Sequence, residues 1–541
     1  MKRTLLYIIA CVLTIAAEAQ TLNVTTSSGT KSYSSANLTS GSPVTFSNGT
    51  TMTIGADTYT ISDITSMWVS TSSSTDVDAN TVSIVYNGSS ATVTCADNVS
   101  SYVSASVSGA HVTITQSNTD AVDGEEITYV LSGSTTDGSL TLDGSYKCTV
   151  SLAGLTLTNP SGAAINITNS KRIQLSAKKD TENTLTDGSG SQKACIYSKG
   201  QLQLQGNGTL NVVGKLKHGI KSASYIQIKN LALNITSAVG DGINCEEYFL
   251  MKSGTVNISG TQDDGIQCDL GGTTSTGETT DHEDEDSGNV YIEGGTINIS
   301  VTADAAKGIK GEGDMRITDG DISVTSAGGE GIESKTYIDI TGGQVTVNAS
   351  DDAINASYSD DTKSLSNAGD LTISGGYVYA RSTGNDGIDA NGNVYIKGGL
   401  VYAIGASSPE VAIDANSEEQ KKLYVSGGTI IAIGGLESGA SLTQSCYQAS
   451  SWSKNTWYAI TVGSDTFAFK TPSSGGSGLV VSGASQPTLM SGVTVSGGTS
   501  IFDGVGSVSP TVSGGSSVSL SSYTGGGGGP GGGGGPGGGW R

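Results

Sequence analysis

A six-residue phrase keeps returning along this chain. Gly240-Asp241-Gly242-Ile243-Asn244-Cys245 is followed by Asp263-Asp264-Gly265-Ile266-Gln267-Cys268. Shorter copies follow at Lys307-Gly308-Ile309-Lys310, Glu330-Gly331-Ile332-Glu333, Asp352-Ala353-Ile354-Asn355 and Asp386-Gly387-Ile388-Asp389. Weaker copies centre on Ile165, Ile196, Ile220 and Ile413. Successive central isoleucines lie 31, 24, 23, 23, 43, 23, 22, 34 and 25 residues apart, a period near 23 with three longer intervals. A fixed period of this size marks a repeat architecture. Between the phrases, Ile292 to Ile299 and Ile340 to Val347 each read as two short alternating strands hinged on a Gly pair. Three strands of roughly 3 to 5 residues with Gly or Asn corners, too short for helices, make one turn of a parallel β-helix.

Two further positions repeat in step. Ile292, Ile317, Ile340, Ile373, Ile396 and Val425 fill one, and Ile297, Ile322, Val345, Val378, Val401 and Ile430 the other. Side chains at i and i+2 share a strand face, so these aliphatics stack inward, coil on coil, about 4.8 Å apart. The sequence therefore predicts an all-β fold whose centre is a parallel β-helix solenoid over 146–436. A small N-terminal β module is expected over 20–70, and a strand-rich region over 71–145 forms either irregular opening coils or a cap. A C-terminal β cap is expected over 437–524, followed by a flexible Gly/Pro-rich tail, 525–541. Insertions at Gly271 to Gly288 and about Tyr358 to Asn367 keep the phase of the repeat, so they must leave as loops from a corner.

Residues 1–19 read as a secretory signal, with Lys2-Arg3, an apolar run from Leu5 to Ala17, and Ala17-Glu18-Ala19 before Gln20. Ile8-Ile9-Ala10-Cys11 alternatively fits a lipoprotein signal that anchors the chain at Cys11. Either way the expected location is secreted or at the cell surface. No other stretch approaches the ~20 apolar residues of a membrane helix. The formal net charge is -23. A surface this acidic repels nucleic acid and anionic lipid, favours cations or neutral partners, and needs a bridging cation to hold a polyanion. The chain is expected to be a monomer. Cys245 and Cys268 hold the same place in consecutive coils and should both point inward, as a buried thiol stack or a disulfide.

The chemistry lies in two rows. Two residues before the central Ile stand His218, Asp241, Asp264, Lys307, Glu330, Asp352 and Asp386. One residue after it stand Lys221, Asn244, Gln267, Lys310, Glu333, Asn355, Asp389 and Asp414. In a parallel stack the first row lies at a corner and the second faces out of the strand. Carboxylates about 5 Å apart repel by roughly 1 to 3 kcal/mol, and carboxylate, amide and carbonyl oxygens suit Ca2+. The candidate Ca2+ ligands are Asp241, Asp263, Asp264, Glu330, Glu333, Asp351, Asp352, Asp386 and Asp389. The alternative is that each Asp only caps corner N–H groups. Zinc is disfavoured because His111, His218 and His282 are scattered.

Lys307 and Lys310 interrupt both rows. Beside calcium, either could serve a uronate lyase as general base; as a ladder of ion pairs they would only neutralise the row. Acidic neighbours raise a lysine's pKa, which works against a base. Tyr379 and Tyr402 share one outward position, and Tyr395 and Tyr424 another beside Tyr291. Such rings suit pyranose faces, although stacked tyrosines also stabilise sheets unaided. Asn234, Asn257 and Asn298 read as an amide ladder.

The run Thr181-Glu182-Asn183-Thr184-Leu185-Thr186-Asp187-Gly188 is followed by Leu202-Gln203-Leu204-Gln205-Gly206-Asn207-Gly208-Thr209-Leu210 and Lys217-His218-Gly219-Ile220-Lys221-Ser222. Together with the Asp-Gly-Ile coils, these motifs resemble a family of secreted carbohydrate-binding, pectate-lyase-like domains over about residues 146 to 436. The resemblance implies a right-handed parallel β-helix that binds calcium and plant polysaccharides such as cellulose or polygalacturonate, as a binding module rather than an established enzyme. It makes the acidic residues of the Asp-Gly-Ile coils candidate calcium ligands. Lys307, where acid is usual, and the amino-terminal module depart from the family pattern. The expected function is a secreted, Ca2+-binding, polysaccharide-binding protein. A calcium-dependent uronate polysaccharide lyase acting by β-elimination, and a structural surface or adhesion β-helix, are the alternatives.

Overall fold

The computed structural model describes residues 20–27, 29–34, 45–54, 56–71, 77–271 and 287–525. The signal segment with Cys11, the acidic run Asp281 to Asp286 and the Gly/Pro tail beyond 525 lie outside the described residues. The chain divides into two compact units, one ending at Ala79 and taking in Thr94–Ala96, the other holding the rest.

In the first unit, Gly29–Ser34, Gln20–Thr26 and Ile64–Thr71 form one antiparallel sheet, and Thr45–Ser47, Thr51–Ile54 and Asp57–Thr60 another. Val24, Tyr33, Met52 and Ile54 are its buried core.

The second unit is built on a β-solenoid of about 12 turns. Its central row is continuous: Ile165, Ile196, Ile220, Ile243, Ile266, Ile309, Ile332, Ile354 and Ile388 pair in parallel register, and bridges carry the row on to Ile413 and Leu436. All of these isoleucines are fully buried. The rows through Ile292 and Ile297 pair as the spacing predicts. Regular aliphatic stacking replaces a globular core because each coil buries its inward side chains against the coils on either side. Cys245 and Cys268 join this interior as free thiols, with Sγ atoms 3.4 Å apart.

Strands between Thr81 and Gly144 supply opening coils. Thr81–Asn87 runs parallel to Ile127–Thr135, and Ala110–Gln116 parallel to Gly138–Gly144, while antiparallel Val103–Ser108 closes one edge. The Gly pairs explain the sharp corners. At Gly398-Gly399, a Cβ on Gly398 would collide with the Ser374 carbonyl, and Gly399 holds φ 78 with the previous coil's carbonyl oxygens 2.8 Å from where its Cβ would lie. One glycine is needed for close approach and the other for its left-handed backbone.

The stack ends where parallel pairing gives way to antiparallel: Thr429–Ile433 pairs with Leu479–Ser482. Beyond it, a six-stranded antiparallel sheet folds back along the last coils. Its Tyr458, Phe467, Phe469 and Phe502 pack on Tyr379, Tyr402, Ile404, Ile431 and Ile433.

Candidate metal centres and glycan-facing surface

Corner carboxylates do cap the next coil. Asp264 accepts the Lys307 N–H at 2.7 Å, Asp352 the Asp386 N–H at 2.9 Å, and Asp386 the Val411 N–H at 2.6 Å. Each bond occupies one oxygen of its carboxylate and leaves the charge unneutralised. The row expected to face outward is also largely covered, because corner and following side chains fold over it: Lys221, Asn244, Glu333 and Asn355 are buried.

Among the described residues, two groups of three carboxylates gather tightly enough to hold one cation, with one oxygen from each residue lying within 4.8 Å of the others. The first is Asp241, Asp263 and Asp264. Asp241 is 1% exposed, and while its Oδ2 accepts the Asn244 amide at 2.7 Å, its Oδ1 is buried with no hydrogen-bond partner. Burial first, then repulsion by Asp241 and Asp263, pushes the Asp264 carboxyl up to about 7. His218 Nδ1 lies 3.1 Å from the Asp241 backbone nitrogen and 3.2 Å from Asp241 Oδ2.

The second group is Asp386, Asp389 and Asp414. Burial, then Asp389, Glu410 and Glu437, raise Asp386 to about 7. Burial and the neighbouring acids likewise raise Asp352, Asp389 and Asp414, with Asp389 and Glu437 the acids that press on Asp414. Carboxylates this close cannot all stay ionised without a proton or a cation to offset their repulsion. No Lys or Arg forms an ion pair with Asp351, Asp352, Asp386, Asp389 or Asp414 among the described residues. Hard oxygen donors, Asp386 buried and Asp389 and Asp414 half-buried, without an ion-pair partner fit a divalent cation of the calcium type.

Glu330 and Glu333, two of the candidate ligands, are used differently. Lys307 Nζ lies 3.2 Å from Glu330 and 3.5 Å from Glu333, which also pairs with Lys335. Lys310 pairs with Glu312 at 2.8 Å. Burial works to lower both lysine pKa values, but their acidic partners outweigh it and the net shift is upward. Both lysines are thus held protonated, the state of an ion-pair ladder and the wrong one for a base. Asp351 accepts the Asn385 amide at 2.9 Å and, with Asp352, borders the second group.

The tyrosine rows part company. Tyr379 and Tyr402, expected to face a sugar, are 5% and 0% exposed, lie under the carboxy-terminal sheet, and Tyr402 donates to the Lys470 carbonyl at 3.1 Å. A packed sheet covers them, so they offer no glycan surface. Tyr395 and Tyr424 remain half-buried and stack at 5.0 Å with planes 10° apart, with Lys397 Nζ 5.0 Å from the Tyr395 centroid. Their shared faces are turned to each other, which leaves edges, hydroxyls and the far face of Tyr424, above Ser441, for a ligand. Asn211, Asn234, Asn257 and Asn298 form the amide ladder, linked at 2.8, 2.8 and 2.9 Å.

Asp414 stands in the outward row but not among the candidate ligands, and Glu437 was not singled out at all. The signal was present: Gly434-Gly435-Leu436-Glu437 is one more copy of the phrase with Leu for Ile.

Residues 108–307 and 298–452 match the model of a family described as carbohydrate-binding domain-containing protein, together more than half of the chain. The chain belongs to this carbohydrate-binding family. A carbohydrate-binding domain-containing protein of Acetivibrio thermocellus is 26% identical over 133 residues, covering 20% of this chain and 46% of the relative. The chain thus spans about half the length of that relative. A solved structure, a polysaccharide lyase-like protein from C. thermocellum as a gadolinium derivative, is 22% identical, with coverage of 50% of this chain and 91% of that one and a TM-score of 0.35. Each matched segment contains one of the acidic groups: Asp241, Asp263 and Asp264 in the first, Asp386, Asp389 and Asp414 in the second.

Proposed function

We propose that the protein is exported and binds plant cell-wall polysaccharide, cellulose or polygalacturonate, with calcium held at the two acidic groups. The observation that carries the calcium reading is Asp241 Oδ1, a buried carboxylate oxygen without a donor inside a three-carboxylate group. Family membership supports the carbohydrate class. Bound calcium would supply a hard positive charge on which a polyuronate carboxylate could rest, where the lysines of these rows are already paired to acids in a chain of formal charge -23. Tyr395 and Tyr424 would contact the sugar by ring edge and hydroxyl. The lyase alternative gains no support from Lys307 or Lys310, whose charges are already engaged.

The test is affinity electrophoresis and pull-down on polygalacturonate and cellulose, with calcium and with EDTA, beside a calcium titration read by thermal melting. An ion that binds only the folded form stabilises it by RT ln(1 + [L]/Kd), about 2.7 kcal/mol at a hundredfold excess over Kd, and so raises the midpoint. Retention on polygalacturonate that vanishes with EDTA is expected. A midpoint indifferent to calcium, or no retention on either glycan, refutes the proposal in favour of a structural stalk.

A further inference from the structure

At the amino-terminal end of the solenoid, away from both acidic groups, an open cavity of about 370 Å3 lies against the outward face of the first coils. Its floor is Thr128, Thr149 and Gln174, paired in register on Ile127–Thr135, Cys148–Thr158 and Ile173–Ala177. Their polar ends are therefore spaced by about 4.8 Å. Tyr146 and Lys147 make one rim, half-buried, with Lys147 Nζ 5.9 Å from the ring centroid. Glu126 faces the cavity with its carboxylate fixed by Arg172 and approached by Lys147 at 3.7 Å.

The opposite wall is a tight turn through Asp123 and Gly124, with φ 50 and 86, that bridges Val122 to Glu125. This turn is pinned from behind. Asn80, 8% exposed, donates to the Val122 carbonyl at 2.6 Å and the Glu125 carbonyl at 3.3 Å. Asn98 donates to Asp123 Oδ2 at 2.8 Å and to Asn80 Oδ1 at 2.5 Å. A wall held this way is in place before any ligand arrives, which removes an ordering cost from binding.

We propose that this cavity is a second saccharide site that takes a neutral pyranose ring and needs no metal. The class of ligand rests on the polysaccharide reading above; the location does not. The volume falls at the low end of the roughly 300 to 1,000 Å3 of small-molecule sites. Hydroxyls of a sugar ring donate and accept in turn, and the lining supplies both kinds of partner: a fixed carboxylate, an ammonium, two hydroxyls and an amide. Tyr146 adds an apolar face for the C–H side of the ring. Glu125 and Glu126 are balanced by Lys147 and Arg172, so the site favours neither a polyanion nor a polycation. Neither three-carboxylate group includes any of its residues. The same row runs on from Gln174 to Gln203 and Gln227, where the buried Leu250 and Tyr291 interrupt it, so the amides extend the cavity by two coils only.

Isothermal titration of cellohexaose, xylohexaose and mannohexaose into the EDTA-stripped full-length protein tests the proposal. At least one is expected to bind. Tyr146→Ala should weaken it about tenfold, and Thr149→Trp, which fills the floor, should abolish it. Lys147→Met, on the rim, is the variant to read should Thr149→Trp lower the melting midpoint. No binding of any of the three, or an affinity unmoved by Tyr146→Ala and by the filling or rim variant, overturns the cavity assignment. Retention on polygalacturonate by the calcium-loaded variants reports on the acidic groups separately, so failure of one reading is distinguishable from failure of the other.

Discussion

A carboxyl group whose pKa is raised by folding makes the fold prefer low pH. Asp264 and Asp386 are both raised to about 7 from the usual carboxylate value, and the Asp389–Asp414 pair shifts the same way. Their protonated forms stabilise the native chain fully below about pH 4, and that contribution is lost as pH rises through about 7. Glu333 runs the other way: its folded pKa is lowered by Lys307 and Lys335 against the burial that would raise it, so its contribution disappears only on acidification below the ordinary glutamate range. Between pH 4.5 and 7.5 the raised groups dominate. The metal-free protein should therefore lose stability across that window, by up to about 1.4 kcal/mol per pH unit for each raised group, and melt at progressively lower temperature. Calcium-loaded protein should show a flat or rising profile, because the cation takes the place of the protons. Asp414→Asn should raise the metal-free midpoint at pH 7.5, by relieving repulsion, and shrink the calcium response. Calorimetry across this pH range with EDTA and with calcium checks all three, and a metal-free midpoint that climbs with pH would contradict them. The acidic columns were legible in the sequence because parallel register turns a 23-residue spacing into a vertical neighbour. Which acids stay unneutralised was not, since the pairing of Glu333 with Lys307 and Lys335 depends on side-chain reach between coils.

At the scale of the element, the Gly-Gly corner is where sequence and backbone are most tightly tied. Gly399→Ala forces a side chain into φ 78 and against carbonyl oxygens 2.8 Å away in the coil before. Gly463→Ala, at φ 62 in a hairpin turn with nothing within 4 Å, carries the backbone strain without the collision. Left-handed strain in a non-glycine residue is worth about 1 kcal/mol or more. Gly399→Ala should cost about 1 to 3 kcal/mol beyond Gly463→Ala, read as the difference in urea midpoints at common slope. Equal costs would mean that neighbouring coils can part at the corner without penalty. The central strands were readable because their aliphatics alternate and their corners carry glycine. The carboxy-terminal cap was legible as β structure but its folding back along the coils was not, because the Tyr402–Lys470 bond and the packing of Phe469 and Phe502 on Tyr379 and Tyr402 join a coil to a stretch without period. That is why Tyr379 and Tyr402 were read as outward when another layer covers them. The opening coils could not be told from a cap for a related reason, since Thr81–Asn87 and Ala110–Gln116 pair in parallel without the Asp-Gly-Ile phrase.

For the whole molecule, charge decides how a glycan is met. The formal charge is -23, and a divalent ion in each acidic group would leave most of it in place. A polyuronate approaching the calcium-loaded protein therefore crosses a repulsive field before it reaches any local attraction. Fields of this kind act over a Debye length, about 10 Å at 0.1 M salt and about 30 Å at 0.01 M. Raising sodium chloride from 0.01 to 0.1 M should screen the repulsion and speed association of polygalacturonate oligomers severalfold, the reverse of the usual steering between opposite charges. Dissociation should also quicken, because the contact itself is ionic, so the equilibrium constant moves less than either rate. A neutral oligosaccharide should show neither dependence. Stopped-flow or surface-resonance rates at constant free calcium separate these cases. Association of the polyuronate that slows with added salt would show that a positive patch, and not the pair of acidic groups, governs the encounter.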